Sequence, residues 1–379
     1  MKKIVISEIP LKNFYYFQYL IYGFKILEKK NKIEFKIKPL NYFDLFFLRF
    51  YFIFQFLYKF NKNFRKRQID SHLMKGYYEE NNKIIHFCYE AADSPHFYDI
   101  DVLRNVDLYF KAQCPIEFKK TGFELTPEVF LLYSEDIFKY INKIKPSMLA
   151  PGFGVKNIFS YNKLTKGYKD MFVPIINKKQ IIMSYFGSSK GPKEVYSDKP
   201  DLFSKESHIL GFYKDKLSHP NIKRGLASKI IAKIVPNSDV RILIDANYDV
   251  GFNPKKSPLY ISMKDFPQHI SEFNYNLNIS GNRLSIPWRF VHSFTVGTAI
   301  ITDKLKIKWY LPFETEVQET VEMGYLPVDQ VNWEVFKSDI LNLPTVDSNQ
   351  IIDSFHKKWS PEVFAEYIIK TCKNKIDLE

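Results

Sequence analysis

Residues 273–313, FNYNLNISGNRLSIPWRFVHSFTVGTAIITDKLKIKWYLPF, hold two strand-like runs with a short helix between them, and the reading of the whole chain follows from that succession. The alternating apolar run 275–279 predicts a strand that gives way at Gly281. Residues 288–295 predict a helix stopped at Gly297, because glycine readily takes the left-handed conformation of a helix end. The apolar run 298–302 then predicts a buried strand. Strand, loop, helix and strand form the unit of parallel α/β folds, whose ligands gather at the carboxyl ends of the strands and at helix starts. Arg283 and Arg289 lie in this loop and at this helix start. Their planar guanidinium groups suit paired hydrogen bonds to a diphosphate.

The start of the chain has the same alternation. Residues 3–7 predict a strand, 14–29 a helix and 33–38 a second strand. Glu8, Ile9 and Pro10 stand where a dinucleotide binder would place its glycines, which argues against a nicotinamide or flavin enzyme. A further strand over 84–89 leads into YEAADSPH, with Glu90, Asp93, Ser94 and His96 at its carboxyl end. Such groups can take a proton from a hydroxyl. Residues 106–110 predict another strand and 134–144 a helix, before the proline and glycine of PSMLAPGFGV at 146–155 suggest a boundary.

Beyond the boundary, residues 180–186 predict a strand ending in Gly187, with Lys190 in the following Gly-Ser-Ser-Lys-Gly turn. A glycine there can open the backbone towards a phosphate. Residues 219–235 predict a basic helix, 241–246 and 259–263 strands, and 361–373 an amphipathic closing helix. Asp99-Ile100-Asp101 forms a D-x-D, which reads either as a metal and diphosphate site or as the acidic start of a helix.

Residues 278–301 resemble the donor-binding segment of the protein O-glucosyltransferase and capsule-associated xylosyltransferase family. The resemblance rests on Asn278, Gly281, Arg289, His292, Gly297 and Thr298. Pro287 stands where that family usually has a serine, and Ser285 lies two residues before it. The resemblance implies a GT-B-like α/β fold of two Rossmann-like domains facing a cleft. An acceptor domain would span 1–155, a nucleotide-sugar donor domain 156–350, and a last helix within 351–379 would pack back towards the first domain. It implies transfer of a sugar from a nucleotide diphosphate to a hydroxyl of a surface glycan or lipid-linked acceptor, inverting, with no cofactor and no metal. Donor binding falls on Gly187, Lys190, Gly281, Arg283, Ser285, Arg289 and His292. The general base falls on Asp93, with Glu90 and His96 as rivals.

Composition sets the outer limits. A chain of 379 residues with 45% hydrophobic and 26% charged residues can bury two full cores. Three cysteines far apart argue against a disulfide framework and for a reducing compartment. The start MKKIVISEIP has no apolar stretch of a secretory signal, so a cytoplasmic protein is expected. A net charge of +13 favours an anionic partner. No zinc-finger, helix-turn-helix or RNA-recognition pattern accompanies it, so nucleic acid is not the expected one.

Residues 45–58, LFFLRFYFIFQFLY, are the most apolar run, and Lys59, Lys62, Arg65, Lys66 and Arg67 follow it. A spanning helix needs about 20 apolar residues, so this run is too short to cross a bilayer. It reads either as a core helix with a solvated basic end or as an interfacial segment on an acidic membrane surface, with Arg65, Lys66 and Arg67 at the headgroups. The competing functional classes are a metal-dependent D-x-D transferase or nucleotide-sugar modifying enzyme, and a non-catalytic membrane or nucleic-acid binding protein.

Overall fold

The computed structural model describes residues 2–10, 14–38, 72–92, 94–96, 98–119, 122–126, 129–133, 137–150, 152, 180–187, 220–236, 238–243, 266–279, 285–313 and 317–378. The fold is mixed α/β, built on a six-stranded and a five-stranded sheet.

In the first sheet, β1 (Lys3–Glu8) lies beside β2 (Glu34–Ile37) in parallel, joined by α1 (Gln18–Lys29). Ile4, Val5 and Ile6 are buried on β1, and Leu20, Ile21, Phe24 and Leu27 form the buried stripe of α1. Asn31 ends that helix at φ 56°, and Lys32 donates back to the Leu27 carbonyl at 3.0 Å. This is the left-handed stop that asparagine tolerates.

β3 (Leu73–Glu80) and β4 (Lys83–Glu90) form an antiparallel hairpin. It turns on Asn81 and Asn82, at φ 52° and 62°, the paired left-handed positions of a two-residue hairpin turn. β3 enters the sheet between β1 and β4, antiparallel to both. The βαβ start expected over residues 3–38 is present, and β3 is an additional antiparallel strand between β1 and β4 that the sequence reading passes over. Its half-exposed face carries Lys75, Tyr77 and Glu79, which dilutes the apolar run.

β5 (Leu108–Lys111) and β9 (Ile144–Pro146) extend the sheet in parallel with β4. Residues 137–143, within the expected helix 134–144, form the 3-10 turn Ile137–Lys143, and Ile144 begins β9. Both sheet faces are covered. Phe87, Tyr89, Leu108 and Phe110 join the main core, while the alternate residues Cys88 and Tyr109 join a second cluster with Leu103 of α2 (Ile100–Asn105) and Ile137. This is the period-two signature of a sheet buried on both sides. A small hairpin, β7 (Gly122–Thr126) with β8 (Val129–Leu132), follows β6 (Cys114–Pro115).

The second sheet is wholly parallel, in spatial order β11, β10, β12, β13, β15. The strands are β10 (Gln180–Gly187), β11 (Asp239–Leu243), β12 (Phe273–Leu277), β13 (Ala299–Thr302) and β15 (Tyr325–Pro327). By sequence the order is 2-1-3-4-5, a doubly wound arrangement whose direction of growth reverses between β10 and β12. Its helices are α3 (Pro220–Ile234), α4 (Phe266–Ile270), α5 (Arg289–Thr295), α6 (Val317–Glu322), α7 (Trp333–Leu341) and α8 (Ser348–Trp359). Asp347 caps α8 by accepting from the Asn349 and Gln350 amides.

Among the described residues, several joints connect the sheets. β6 pairs antiparallel with β14 (Ile307–Lys308). The closing helix α9 (Pro361–Asp377) lies across α1, and just before it Tyr19 Oη of α1 donates to the carbonyl of Trp359, the last residue of α8, at 2.8 Å. Gly23 is the close point of that crossing, because a Cβ there would overlap the Pro361 carbonyl. Lys30 and Lys32 pair with Glu362 and Glu366 along its rim. Among the described residues, no helix is long and apolar enough to cross a membrane.

Candidate functional site

The carboxyl end of β12 is bound to its neighbours by asparagine side chains inside the core. Asn278 is fully buried. Its amide Nδ2 donates to Thr302 Oγ1 at 3.1 Å, its backbone N–H donates to the Ile301 carbonyl at 2.7 Å, and its own carbonyl accepts from Gln330 Nε2 at 3.0 Å. Asn278 Oδ1 accepts from Arg289 Nη2 at 3.4 Å. These contacts join the ends of β12 and β13, the segment after β15 and the start of α5. They place the Arg289 guanidinium at the carboxyl edge of the parallel sheet. Asn276 sits one turn of the pleat earlier, and its Nδ2 donates to Ser293 Oγ on α5 at 3.1 Å.

The reversal in strand order lies between β10 and β12, so the crevice of this sheet opens between Gly187, the last residue of β10, and Asn278. Arg289 stands half-buried beside that crevice. Ser285 and Ile286, on the approach to α5, are buried. Lys190, Gly281 and Arg283 lie outside the described residues.

His292 is fully buried, with its ring 4.8 Å from Trp288 and 5.7 Å from Phe266, both edge or tilted contacts. Neither ring nitrogen has a partner among the described residues. Burial, and then the neighbouring Arg289 charge, push its pKa down to about 3, so the imidazole is neutral. Gly297 takes φ 70° at the end of α5 and packs against the Ser348 backbone, which leaves no room for a Cβ.

At the carboxyl edge of the first sheet, Glu90 is 3% exposed. Its Oε2 accepts from Lys111 Nζ at 2.6 Å and from Tyr109 Oη at 2.9 Å. Burial raises its pKa, while Lys111 and Tyr109 pull it down. Lys111 is itself fully buried and lies 4.4 Å from the centre of the Tyr98 ring. His96 is half-buried, with Nδ1 3.2 Å from Ser94 Oγ. Asp93, between them in sequence, lies outside the described residues, as do Arg65, Lys66, Arg67 and the whole of 45–58.

The D-x-D carboxylates serve α2. Asp99 caps it by accepting from the Val102 amide at 3.0 Å, and Asp101 projects into solvent 3.6 Å from Arg104. No cluster of three potential metal ligands occurs among the described residues.

Three groups of this region escape sequence reading: Lys111, Gln330, and Gln113, whose side-chain amide hydrogen-bonds both backbone groups of Ile286. Lys111 and Gln113 lie in YFKAQC, where two polar residues interrupt an otherwise apolar run, and that interruption is the signal that could have marked them. Gln330 has no such signal. Compared with known proteins, the chain matches no protein-family model, and no curated protein matches it significantly.

Proposed function

We propose that the protein is a GT-B-like glycosyltransferase, with an acceptor domain around the six-stranded sheet and a nucleotide-sugar donor domain around the five-stranded one. The observation that carries this reading is the position of Arg289, beside the reversal point of a doubly wound parallel sheet. Sheets of that order bind nucleotides in that crevice. A guanidinium there would meet the charge that grows on the diphosphate as it leaves, which is electrostatic stabilisation of the transition state.

The donor is a nucleotide diphosphate sugar and the acceptor a hydroxyl of a surface glycan or lipid-linked saccharide. Gly187 leaves room for the phosphates at the β10 edge. Gly281, Arg283, Ser285 and Lys190 complete the donor loop. The base that takes the acceptor proton is Asp93, with His96 as its rival. Glu90, held by Lys111 and Tyr109, supports that edge rather than meeting substrate. Transfer is inverting and without an essential metal; Asp99 of the D-x-D caps α2. The protein works in the cytoplasm, peripheral to the inner face of the cell membrane.

Calorimetric titration with UDP and GDP tests the donor site. Arg289→Ala weakens binding of the preferred nucleotide by about 2–3 kcal/mol, the loss of a charge-assisted contact, with the folded spectrum retained. Equal affinity in wild type and variant removes this reading.

A further inference from the structure

We infer that Gln113 is a positioning residue for Arg289, coupling the carboxyl edge of the six-stranded sheet to the diphosphate end of the five-stranded one; this rests on the donor-site reading of Arg289. Gln113 is fully buried at the exit of β5. Its Nε2 donates to the Ile286 carbonyl at 2.9 Å, and its Oε1 accepts from the Ile286 N–H at 2.9 Å, across 173 residues of sequence. One planar amide thus gives Ile286 the donor and acceptor that a neighbouring strand would otherwise supply.

Ile286 belongs to no strand and is fully buried. Its backbone groups would be costly to leave unmade, so the pair holds the segment at one height against β5. From there to Arg289 little freedom remains. Pro287 has its φ set by the ring, its carbonyl accepts from the Phe290 N–H at 3.1 Å, and Arg289 follows Trp288 as the first residue of α5.

Gln113 is fixed on its own side too. The Ala112 N–H donates to the Glu90 carbonyl at 2.9 Å, and Cys114 is the register partner of Lys308 in the β6–β14 joint. Lys111, two residues before it, holds the Glu90 carboxylate. Glu90 holds the Lys111 side chain and the Ala112 amide, and the next residue, Gln113, clasps Ile286, so the short covalent link 111–113 ties that strand end to the approach to α5. The acceptor edge and the donor guanidinium keep a common geometry through it.

The test is a double-mutant cycle read by UDP titration, with GDP as second probe, joined to hydrogen exchange on the full chain. In Gln113→Leu, the Ile286 amide exchanges at least about tenfold faster, and UDP binds about tenfold more weakly. Gln113→Leu combined with Arg289→Ala binds no more weakly than Arg289→Ala alone, because the glutamine acts only through the arginine. A purely structural role would instead give additive losses or none. Wild-type UDP affinity in Gln113→Leu, with Arg289→Ala weakened, overturns the coupling and leaves the donor site standing. Unchanged UDP and GDP affinity in Arg289→Ala removes the donor site, and the coupling with it. Should Gln113→Leu not fold, Gln113→Glu takes its place with the same readouts, since it keeps an acceptor for the Ile286 N–H and loses the donor to its carbonyl.

Discussion

Glu90 and Lys111 are register partners at the carboxyl ends of adjacent parallel strands, and their side chains form an ion pair of 2.6 Å withdrawn from water. Tyr109 gives the carboxylate a second donor, and the Tyr98 ring faces the ammonium. Glu90 Oε1 has no partner among the described residues. Such a pair gains little against well-packed apolar residues, yet losing either partner leaves a charge in the core.

Lys111→Met should destabilise the protein by about 3–5 kcal/mol, and Glu90→Gln added to it should recover much of the loss. The deficit depends on pH. Glu90 already titrates above its ordinary range because it is buried, so its contribution is full below that range and is lost as pH rises through its folded value. Removing Lys111 raises that value further. Urea midpoints of variant and wild type should therefore converge in acid and separate towards neutral pH; a gap constant across pH would contradict the account.

His292 predicts the opposite trend. Its folded pKa of about 3 lies below the ordinary 6.5, so the neutral ring stabilises the fold above 6.5 and that stability is lost as pH falls from 6.5 towards 3. Between about pH 7 and about pH 5 the wild type should lose about 2 kcal/mol from this source. His292→Phe, packed between Trp288 and Phe266, should lack that part of the slope. Parallel slopes for the two proteins in urea unfolding would show that His292 is protonated as readily in the folded state as in the unfolded one.

Asp93→Asn keeps the side-chain shape and removes the proposed base. Turnover should fall at least about a hundredfold, a usual general-base contribution, while affinity for the nucleotide stays the same. His96→Gln is the companion variant. Near-normal turnover in Asp93→Asn with loss in His96→Gln transfers the role to the histidine.

The basic run after 45–58 should hold the protein on acidic membranes. Each cation near such a surface contributes about 1 kcal/mol, and salt screens it. The protein should pellet with liposomes containing acidic lipid at low salt, less so at high salt. Replacing Arg65, Lys66 and Arg67 by Glu should release it with the fold intact. Equal recovery in the supernatant with acidic and neutral liposomes would make the run a core helix and favour a soluble acceptor.

Much of the second sheet is legible in sequence because β12 and β13 are buried along almost their whole length and are separated by a helix. The runs around 275, 300 and 182 each match a strand of the fold, with boundaries displaced by one or two residues. β3 is not legible in the same way. LMKGYYEE alternates buried and half-exposed positions, and Lys75, Gly76, Glu79 and Glu80 obscure the pattern; the Asn81-Asn82 turn is the signal that could have marked the hairpin.

The candidate site divides along the same line. Arg289 and Asn278 are close in sequence and held by one strand–helix unit, so reading 273–302 brings them together. Glu90 looks like an exposed strand-end carboxylate until Lys111, 21 residues later, is set beside it by strand register. His292 reads as a ligand-facing group until Phe266 and Trp288 close around it.

Sequence alone determined the alternation of strands and helices, the basic charge and the clustering of arginines after β12, because periodicity, composition and short spacings are local properties. The tertiary structure decided the insertion of β3, the withdrawal of Glu90 and the clasp of Gln113 on Ile286. Each depends on which buried donor finds which acceptor across long separations, and the strand order and register that settle this arise only when the sheets pack.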